Sequence, residues 1–262
     1  MNLALRLSYF GDSFFGSQMQ PGLRTVEGEF IAACRRLNLF EDWRDSGFAM
    51  AGRTDRGVHA RRQVCSFRTD EPDRAIQALN RVLPEDIWCT AWAGAPDEFH
   101  PRYSATSRTY RYYFFPVPGD PARMNEAAGE FVGRHDFSAF ARAGSRSPER
   151  DVLSARVFES GPFAVFEVTG KSFLWNMVRG MATVLERVGR GEASAGYIAR
   201  LLADPPGRRL PAAPPGGLVL WDICYEIPFA PLPIERENRR QRYHTLMAEI
   251  SALLASGDGQ HG

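Results

Sequence analysis

This chain of 262 residues is organised around the stretch MAGRTDRGVHA, residues 50–60. An apolar run ends at Gly52, and a dense polar turn with glycine at both ends follows it. Such glycines permit a sharp bend and a close approach of the backbone to a ligand. Asp55 lies between two arginines, whose positive field keeps a carboxylate ionised. The residue types alone fit either a catalytic carboxylate or a hairpin turn with a surface Asp–Arg pair.

Ten positions of this region form an ordered motif: Ala51-Gly52-Arg53-Thr54-Asp55, then Gly57-Val58-His59-Ala60 and Gln63. Together they closely resemble the active-site motif of the TruA family of tRNA pseudouridine synthases. By that resemblance Asp55 corresponds to the catalytic aspartate and Arg53 to the arginine beside it. The resemblance implies an isomerase that converts uridine to pseudouridine in the anticodon stem-loop of tRNA, at tRNA positions 38, 39 and 40.

The reaction that the resemblance implies acts on a uridine flipped out of its stem. The N1 glycosidic bond breaks, the ring turns, and C5 is joined to the sugar, with no cofactor and no metal. The Asp55 carboxylate would act near C1′ as a nucleophile or at C2′ as a base, and the sequence leaves both open. The resemblance also implies a homodimer that binds tRNA.

Two later segments carry the same resemblance. The stretch 108–112 places Tyr110 at the family's active-site tyrosine, where its ring could stack on the base, although packing within a sheet explains such a ring equally well. Residues 173–179 match the family's Phe-Leu-x-x-Met-Val-Arg and end at Arg179. The chain departs from the family at Ser17, where tryptophan is usual, and at Gly180, where the bacterial pattern often has asparagine.

Arg179 has two competing interpretations. The spacing of apolar residues predicts a helix from Ser172 to Val188, with Arg179 and Trp175 nearly opposite the apolar stripe, as a solvated arginine would be. The family motif instead makes Arg179 a basic partner of the catalytic carboxylate. Both hold if the polar face lines a cleft, so we predict that Arg179 faces Asp55 between the two halves of the chain.

The predicted fold is α+β, with two ferredoxin-like halves, similar to RNA-recognition modules, that form a largely antiparallel sheet with helices packed on it. In the first half the order is strand, helix, strand, strand, helix, strand, which is typical of the split βαβ unit. We expect an N-terminal half at 1–103, a C-terminal half at 104–231 and a helical extension at 232–262. We also expect exposed rings at Phe14 and Phe15, and a loop over 133–137.

Composition restricts the class of protein. No apolar run reaches the length of about 18 residues that a membrane span needs, and no signal peptide is visible, so the expected location is cytoplasmic. The four cysteines have no paired spacing and read as small buried apolar residues rather than a disulfide framework or zinc site. They are Cys34, Cys65, Cys89 and Cys224.

The formal net charge is +1, so RNA contact must come from local groups of arginine. Lys171 is the only lysine among 32 basic residues, and arginine suits phosphates and bases, although a codon bias gives the same composition. The candidates for RNA binding are Arg56, Arg61 and Arg62 around the turn and Arg108 and Arg111 on an aromatic strand. Two alternatives stay open: a non-catalytic RNA-binding protein of two such modules, and a glycoside hydrolase, which would need a second carboxylate.

Overall fold

The computed structural model describes residues 1–142, 144, 147–194, 196–206 and 210–232. These residues form two compact units. The first contains Met1–Thr106 and the described residues from Leu220 onward, and the second contains Ser107–Val219. Apart from Leu232, the predicted helical extension at 232–262 lies outside the described residues.

The first unit has the predicted ferredoxin-like order. Its elements are β1 (Asn2–Tyr9), α1 (Val26–Arg36), β2 (Ala49–Met50), β3 (His59–Arg68), α2 (Pro72–Val82) and β4 (Ile87–Ala95). Strand β1 is central, because it pairs antiparallel with both β3 and β4, and β2 pairs antiparallel with β3. The short strand β2 and the long strand β3 flank the polar turn that contains Asp55.

Local chemistry explains these elements. The side chains of Leu3, Leu5 and Leu7 are fully buried along β1, which is why this strand occupies the centre of the sheet. Helix α1 begins after Thr25, whose hydroxyl accepts a hydrogen bond from the Gly28 N–H at 3.2 Å, as expected of an N-cap threonine.

The second unit is also α+β. Its elements are β5 (Ser107–Phe114), α3 (Pro121–Ala128), β6 (Gly133–Asp136), β7 (Glu149–Ser160), β8 (Phe163–Gly170), α4 (Met177–Gly189) and α5 (Tyr197–Ala203). Its strands pair antiparallel in the order β5-β8-β7-β6. Later in the chain come β9 (Leu218–Cys224), which lies beside β3, and β10 (Ala230–Pro231), which lies beside β4. The predicted α+β class is confirmed.

Three expectations about local structure were wrong. The stretch 133–137 is not a loop, because Gly133–Asp136 pairs with Val152–Glu149 as an edge strand. Phe14 is only 1% exposed, because its ring meets Tyr9 edge-on at 6.5 Å, whereas Phe15 is 40% exposed as predicted. Cys224 is exposed, whereas the other three cysteines are buried, so only those three behave as core residues.

The helix predicted from Ser172 begins five residues later, at Met177. The residue before it, Asn176, has a φ of 64°, which is a left-handed conformation incompatible with the continuation of a helix toward the N-terminus. Trp175 forms an antiparallel bridge with Arg142 instead. A contact with a segment distant in sequence therefore decides where α4 begins.

Candidate active site

The turn between β2 and β3 is fixed by its own backbone. The Ala51 N–H donates to the Val64 carbonyl at 2.8 Å, and the fully buried side chain of Gln63 donates from Nε2 to the Gly52 carbonyl at 3.0 Å. Gly57 has a φ of 81°, where a residue without a β-carbon is favoured. The turn thus holds the Asp55 side chain half-buried, between Arg53 and Arg56, which are both exposed.

A second loop, residues 11–18, supports the turn from the side. The Ser17 hydroxyl accepts a hydrogen bond from the Thr54 N–H at 2.8 Å, and the Ser17 N–H donates to the Thr54 carbonyl at 3.0 Å. Ser17 is 1% exposed, so this pair of hydrogen bonds is shielded from water. The Thr54 hydroxyl is also hydrogen-bonded to the Tyr9 hydroxyl at 2.8 Å. The residue before Asp55 is therefore held through its N–H, its carbonyl and its side chain.

His59 contributes a third support. Its imidazole is 1% exposed, and Nδ1 accepts a hydrogen bond from the Gly11 N–H at 3.0 Å, so in this arrangement the ring is neutral, with its proton on Nε2. The Asp12 carboxylate lies 3.8 Å from Nε2. A β-carbon on Gly11 would lie 2.2 Å from the Val58 carbonyl oxygen, so only glycine allows the two loops to approach this closely.

The arginines predicted to bind RNA near the turn each contact a neighbouring side chain. The guanidinium of Arg56 lies 4.5 Å from the ring centroid of Phe15, and that of Arg61 lies 4.4 Å from the ring of Trp221. Arg62 forms an ion pair with Asp222 at 2.8 Å. These arginines are therefore pre-positioned, an arrangement that reduces the side-chain entropy lost in any further contact they make.

On strand β5 the two predicted RNA-binding arginines are in different surroundings. Arg108 is 9% exposed and donates from Nη1 to the Lys171 carbonyl at 2.8 Å. Arg111 donates from Nε to the Glu167 carboxylate at 2.6 Å, and Arg156 binds the other oxygen of the same carboxylate. Both β5 arginines thus make contacts inside the second unit that also stabilise the sheet.

The Glu167 carboxylate accepts hydrogen bonds from both Arg111 and Arg156. Burial alone would raise the pKa of its carboxyl, but the hydrogen bonds from Arg111 and Arg156 outweigh burial and lower the pKa below its usual range. The carboxylate is therefore ionised at neutral pH.

Tyr110 and Arg179, the other two predicted substrate-binding residues, are both half-buried. The Tyr110 ring meets Phe173 edge-on, with centroids 5.1 Å apart. Arg179, in the first turn of α4, donates from Nε to the Ala213 carbonyl at 2.6 Å and from Nη1 to the Asn176 side chain at 3.1 Å. Its guanidinium is held in place rather than solvated, which the helical wheel alone would not predict.

Within the first unit, three residues that the sequence did not single out for a role support the turn that carries Asp55 and its neighbouring loop: Tyr9 and Ser17 are hydrogen-bonded to Thr54, and His59 accepts a hydrogen bond from Gly11. The available signal was Ser17, which stands where the family usually has tryptophan.

Among the described residues, no group of three or more histidine, cysteine or acidic side chains could hold a metal ion. No helix in the described part of the chain is long and apolar enough to cross a membrane.

Comparisons with known proteins agree with the motif. A family model described as tRNA pseudouridine synthase matches residues 127–226. Proteins named tRNA pseudouridine synthase A are similar over most of the chain. The one from Methanoculleus marisnigri is 72% identical, covering 99% of this chain and 98% of that protein. The one from Methanosphaerula palustris is 51% identical, covering 91% of this chain and 85% of that protein. The one from Thermococcus kodakarensis is 47% identical, covering 86% of this chain and 85% of that protein.

Proposed function

This chain belongs to the tRNA pseudouridine synthase A family, and we propose that Asp55 is the carboxylate with which it isomerises uridine in tRNA. Membership of the family makes the protein an isomerase that converts uridine to pseudouridine, in place of the two alternatives left open by the sequence. The observation that supports Asp55 is its turn: a half-buried carboxylate follows a residue fixed on both sides by hydrogen bonds to Ser17.

The reaction needs an ionised carboxylate at a fixed position. As a nucleophile, an oxygen of Asp55 attacks C1′ and the electrons of the N1–C1′ bond pass to N1. The ring then turns, C5 attacks C1′ and releases the carboxylate, and the C5 proton is lost while N1 is protonated. As a base, Asp55 instead removes the C2′ proton while the N1–C1′ bond breaks, which leaves a C1′=C2′ double bond; after the ring turns, C5 bonds to C1′ as the proton returns to C2′, and again C5 loses its proton while N1 gains one. Both routes benefit from a rigid turn, because a positioned group reacts far faster than a mobile one.

The other predicted site residues have complementary roles in this proposal. Arg53 is exposed beside Asp55 and can fill the space that the flipped uridine leaves in its stem. Tyr110 offers an aromatic ring for stacking on the uracil. Arg179 is, by the family resemblance, the proposed basic partner of the catalytic carboxylate. Arg56, Arg61, Arg62, Arg108 and Arg111 are the proposed contacts with the RNA backbone.

Asp55→Asn tests the proposal. We expect pseudouridine formation to fall by at least about a thousandfold while tRNA affinity is nearly unchanged, because the amide keeps the shape of the carboxylate but neither attacks C1′ nor removes a proton. Asp12→Asn is the matched control, since it removes a neighbouring carboxylate from the same loop pair. Turnover by Asp55→Asn at close to the wild-type rate would show that Asp55 is not the catalytic group.

The finer parts of the function are also proposals. We propose that the enzyme modifies positions 38, 39 and 40 of tRNA, works as a homodimer and acts in the cytoplasm, where tRNA is found. Mapping pseudouridine in tRNA incubated with the enzyme tests the positions, and modification elsewhere would refute them. Light scattering tests assembly: a monomeric mass, with full activity at the same concentration, would show that a dimer is not required.

A further inference from the structure

Trp175 is more exposed to solvent than any other tryptophan of the chain. All five tryptophans lie within the described residues, and Trp175 is 52% exposed, whereas the other four are buried or half-buried. The residues on either side of this region, Leu174 and Met177, are 5% and 0% exposed. The chain therefore presents one large aromatic ring to solvent from a well-anchored segment.

The ring is held in place by Arg142. The Arg142 N–H donates to the Trp175 carbonyl at 2.9 Å, and the two residues form an antiparallel bridge. The Arg142 guanidinium lies 4.8 Å from the centroid of the indole. A fixed ring loses little conformational entropy when a ligand stacks on it. The pair combines an exposed aromatic surface with an exposed cation.

The surroundings indicate which class of partner this pair suits. Lys171, Ser172 and Asn176, which lie near Trp175 in the chain, are polar and exposed or half-buried, which is not the composition of the apolar patches that protein partners cover. An aromatic ring beside an arginine is the arrangement that binds single-stranded nucleic acid, where bases stack on rings and phosphates meet cations.

We propose that Trp175 and Arg142 form a stacking platform for an unpaired nucleobase of the substrate tRNA other than the uridine that is modified. The platform is linked to one of the proposed substrate-binding residues: Asn176, the residue after Trp175, accepts a hydrogen bond from Arg179. The indole stacks on the base, and the Arg142 guanidinium binds the phosphate of the same or the next nucleotide. The proposal rests on the proposed function, since it takes tRNA as the ligand.

The test is equilibrium tRNA binding by Trp175→Ala and Trp175→Phe at several salt concentrations. We expect Trp175→Ala to raise the Kd about tenfold, with an unchanged dependence on salt, because stacking involves no counterion release. Trp175→Phe should recover most of the affinity. Trp43→Ala is the matched control, since Trp43 also lies against an arginine, at 4.4 Å from Arg44, and should bind tRNA as the wild type does.

The outcomes separate the platform from the rest of the site. Wild-type tRNA affinity in Trp175→Ala would overturn the proposal, and a changed mass in light scattering with unchanged affinity would assign Trp175 to a protein interface instead. Equal losses in Trp175→Ala, Trp175→Phe and Trp43→Ala would also overturn it, because they would reflect general destabilisation. Failure of the proposed function gives different results: wild-type protein that does not bind tRNA, or Asp55→Asn protein that turns over at close to the wild-type rate.

Discussion

The Ser17 hydroxyl and the Thr54 N–H are hydrogen-bonded at 2.8 Å, one residue before Asp55 in the chain. The bond is buried, and the backbone of Ser17 returns a second one to Thr54 at 3.0 Å. The rigidity of the proposed catalytic turn therefore depends on a serine in a different loop. A tryptophan at this position could not accept that hydrogen bond, since its indole nitrogen is only a donor.

Ser17→Ala should lower kcat about tenfold with little change in KM. The substitution leaves the Thr54 N–H without a partner, and a buried donor in that state costs about 1–3 kcal/mol. Part of this cost is relieved by movement of the turn, which displaces Asp55. Steady-state kinetics at a temperature well below melting would measure the effect.

Ser46→Ala is the control for that experiment. Ser46 is also buried, and its hydroxyl also forms a hydrogen bond with the backbone, here as the donor to the Trp43 carbonyl at 2.8 Å, but it does not contact the turn. We expect it to lower the melting temperature without changing kcat. If both variants lose the same activity, Ser17 is a structural residue and not a positioning one.

A second prediction concerns Gly180, which follows Arg179. A β-carbon at Gly180 would lie 2.2 Å from the Phe140 carbonyl oxygen, so Gly180→Ala forces α4 away from that backbone. We expect a loss of about 1–3 kcal/mol in the free energy of unfolding, measured by denaturant titration. Gly129→Ala is the control, because its β-carbon would meet nothing within 4 Å. Equal stability of the two variants would contradict the packing argument.

The start of α4 shows where the sequence was sufficient and where it was not. Periodicity identified the helix and its buried stripe, because both depend on neighbours three and four residues away. It could not locate the left-handed Asn176, which depends on the bridge between Trp175 and Arg142. Ordinary local rules would have found helix α3, which was not predicted, since Asp120 is an N-cap followed by Pro121 in the first turn.

The candidate site also combines features that the sequence predicted with features that it did not. The motif predicted roles for Asp55 and Arg53 from ten positions close together in the chain. It did not show that Ser17 and Tyr9 hold Thr54, because those contacts join residues 37 and 45 positions apart. Phe14 was expected to be exposed on the composition of its loop, but the loop packs its ring on Tyr9 and beneath the Arg24 guanidinium, 4.3 Å from the ring centroid.

A third prediction uses the lowered pKa of Glu167. A carboxyl whose pKa is lower in the folded protein than in the unfolded chain stabilises the fold above the unfolded pKa, and that contribution disappears as the pH falls through the folded pKa. At pH 7 we expect Glu167→Gln to destabilise the protein by about 2 kcal/mol, because charged hydrogen bonds to Arg111 and Arg156 are lost. The difference from wild type should shrink as the pH is lowered below about 4.

Glu149→Gln provides the comparison for Glu167. Glu149 pairs with Arg134 at 2.7 Å, nearly the same distance, but the two side chains are 51% and 74% exposed. Solvent screens such a pair, so its removal should leave the unfolding transition unchanged both at pH 7 and below about pH 4. A pH-independent effect of Glu167→Gln would show that its contribution is packing and not charge.

The last prediction concerns the arginines that follow the proposed catalytic turn. Replacing Arg61 and Arg62 together with alanine should flatten the dependence of tRNA affinity on salt without changing which uridine is modified. Each fully engaged phosphate contact adds about 0.7–0.9 to the slope of log Kd against log salt. The loss should be smaller than two such contacts, because Arg62 is already paired with Asp222 at 2.8 Å and its charge is partly neutralised.

Two further variants make that prediction specific. Asp222→Asn removes the competing carboxylate, so it should steepen the salt dependence while Arg62 is present and have no effect once Arg62 is alanine. Arg190→Ala is the control for charge alone, since Arg190 is a paired arginine of the second unit, bonded to Glu186 at 2.7 Å, and should leave the slope unchanged. If Arg190→Ala flattens the slope as much as the double variant does, RNA is attracted by the net charge of the protein. A flattening confined to Arg61 and Arg62 instead places phosphates beside the turn that carries Asp55.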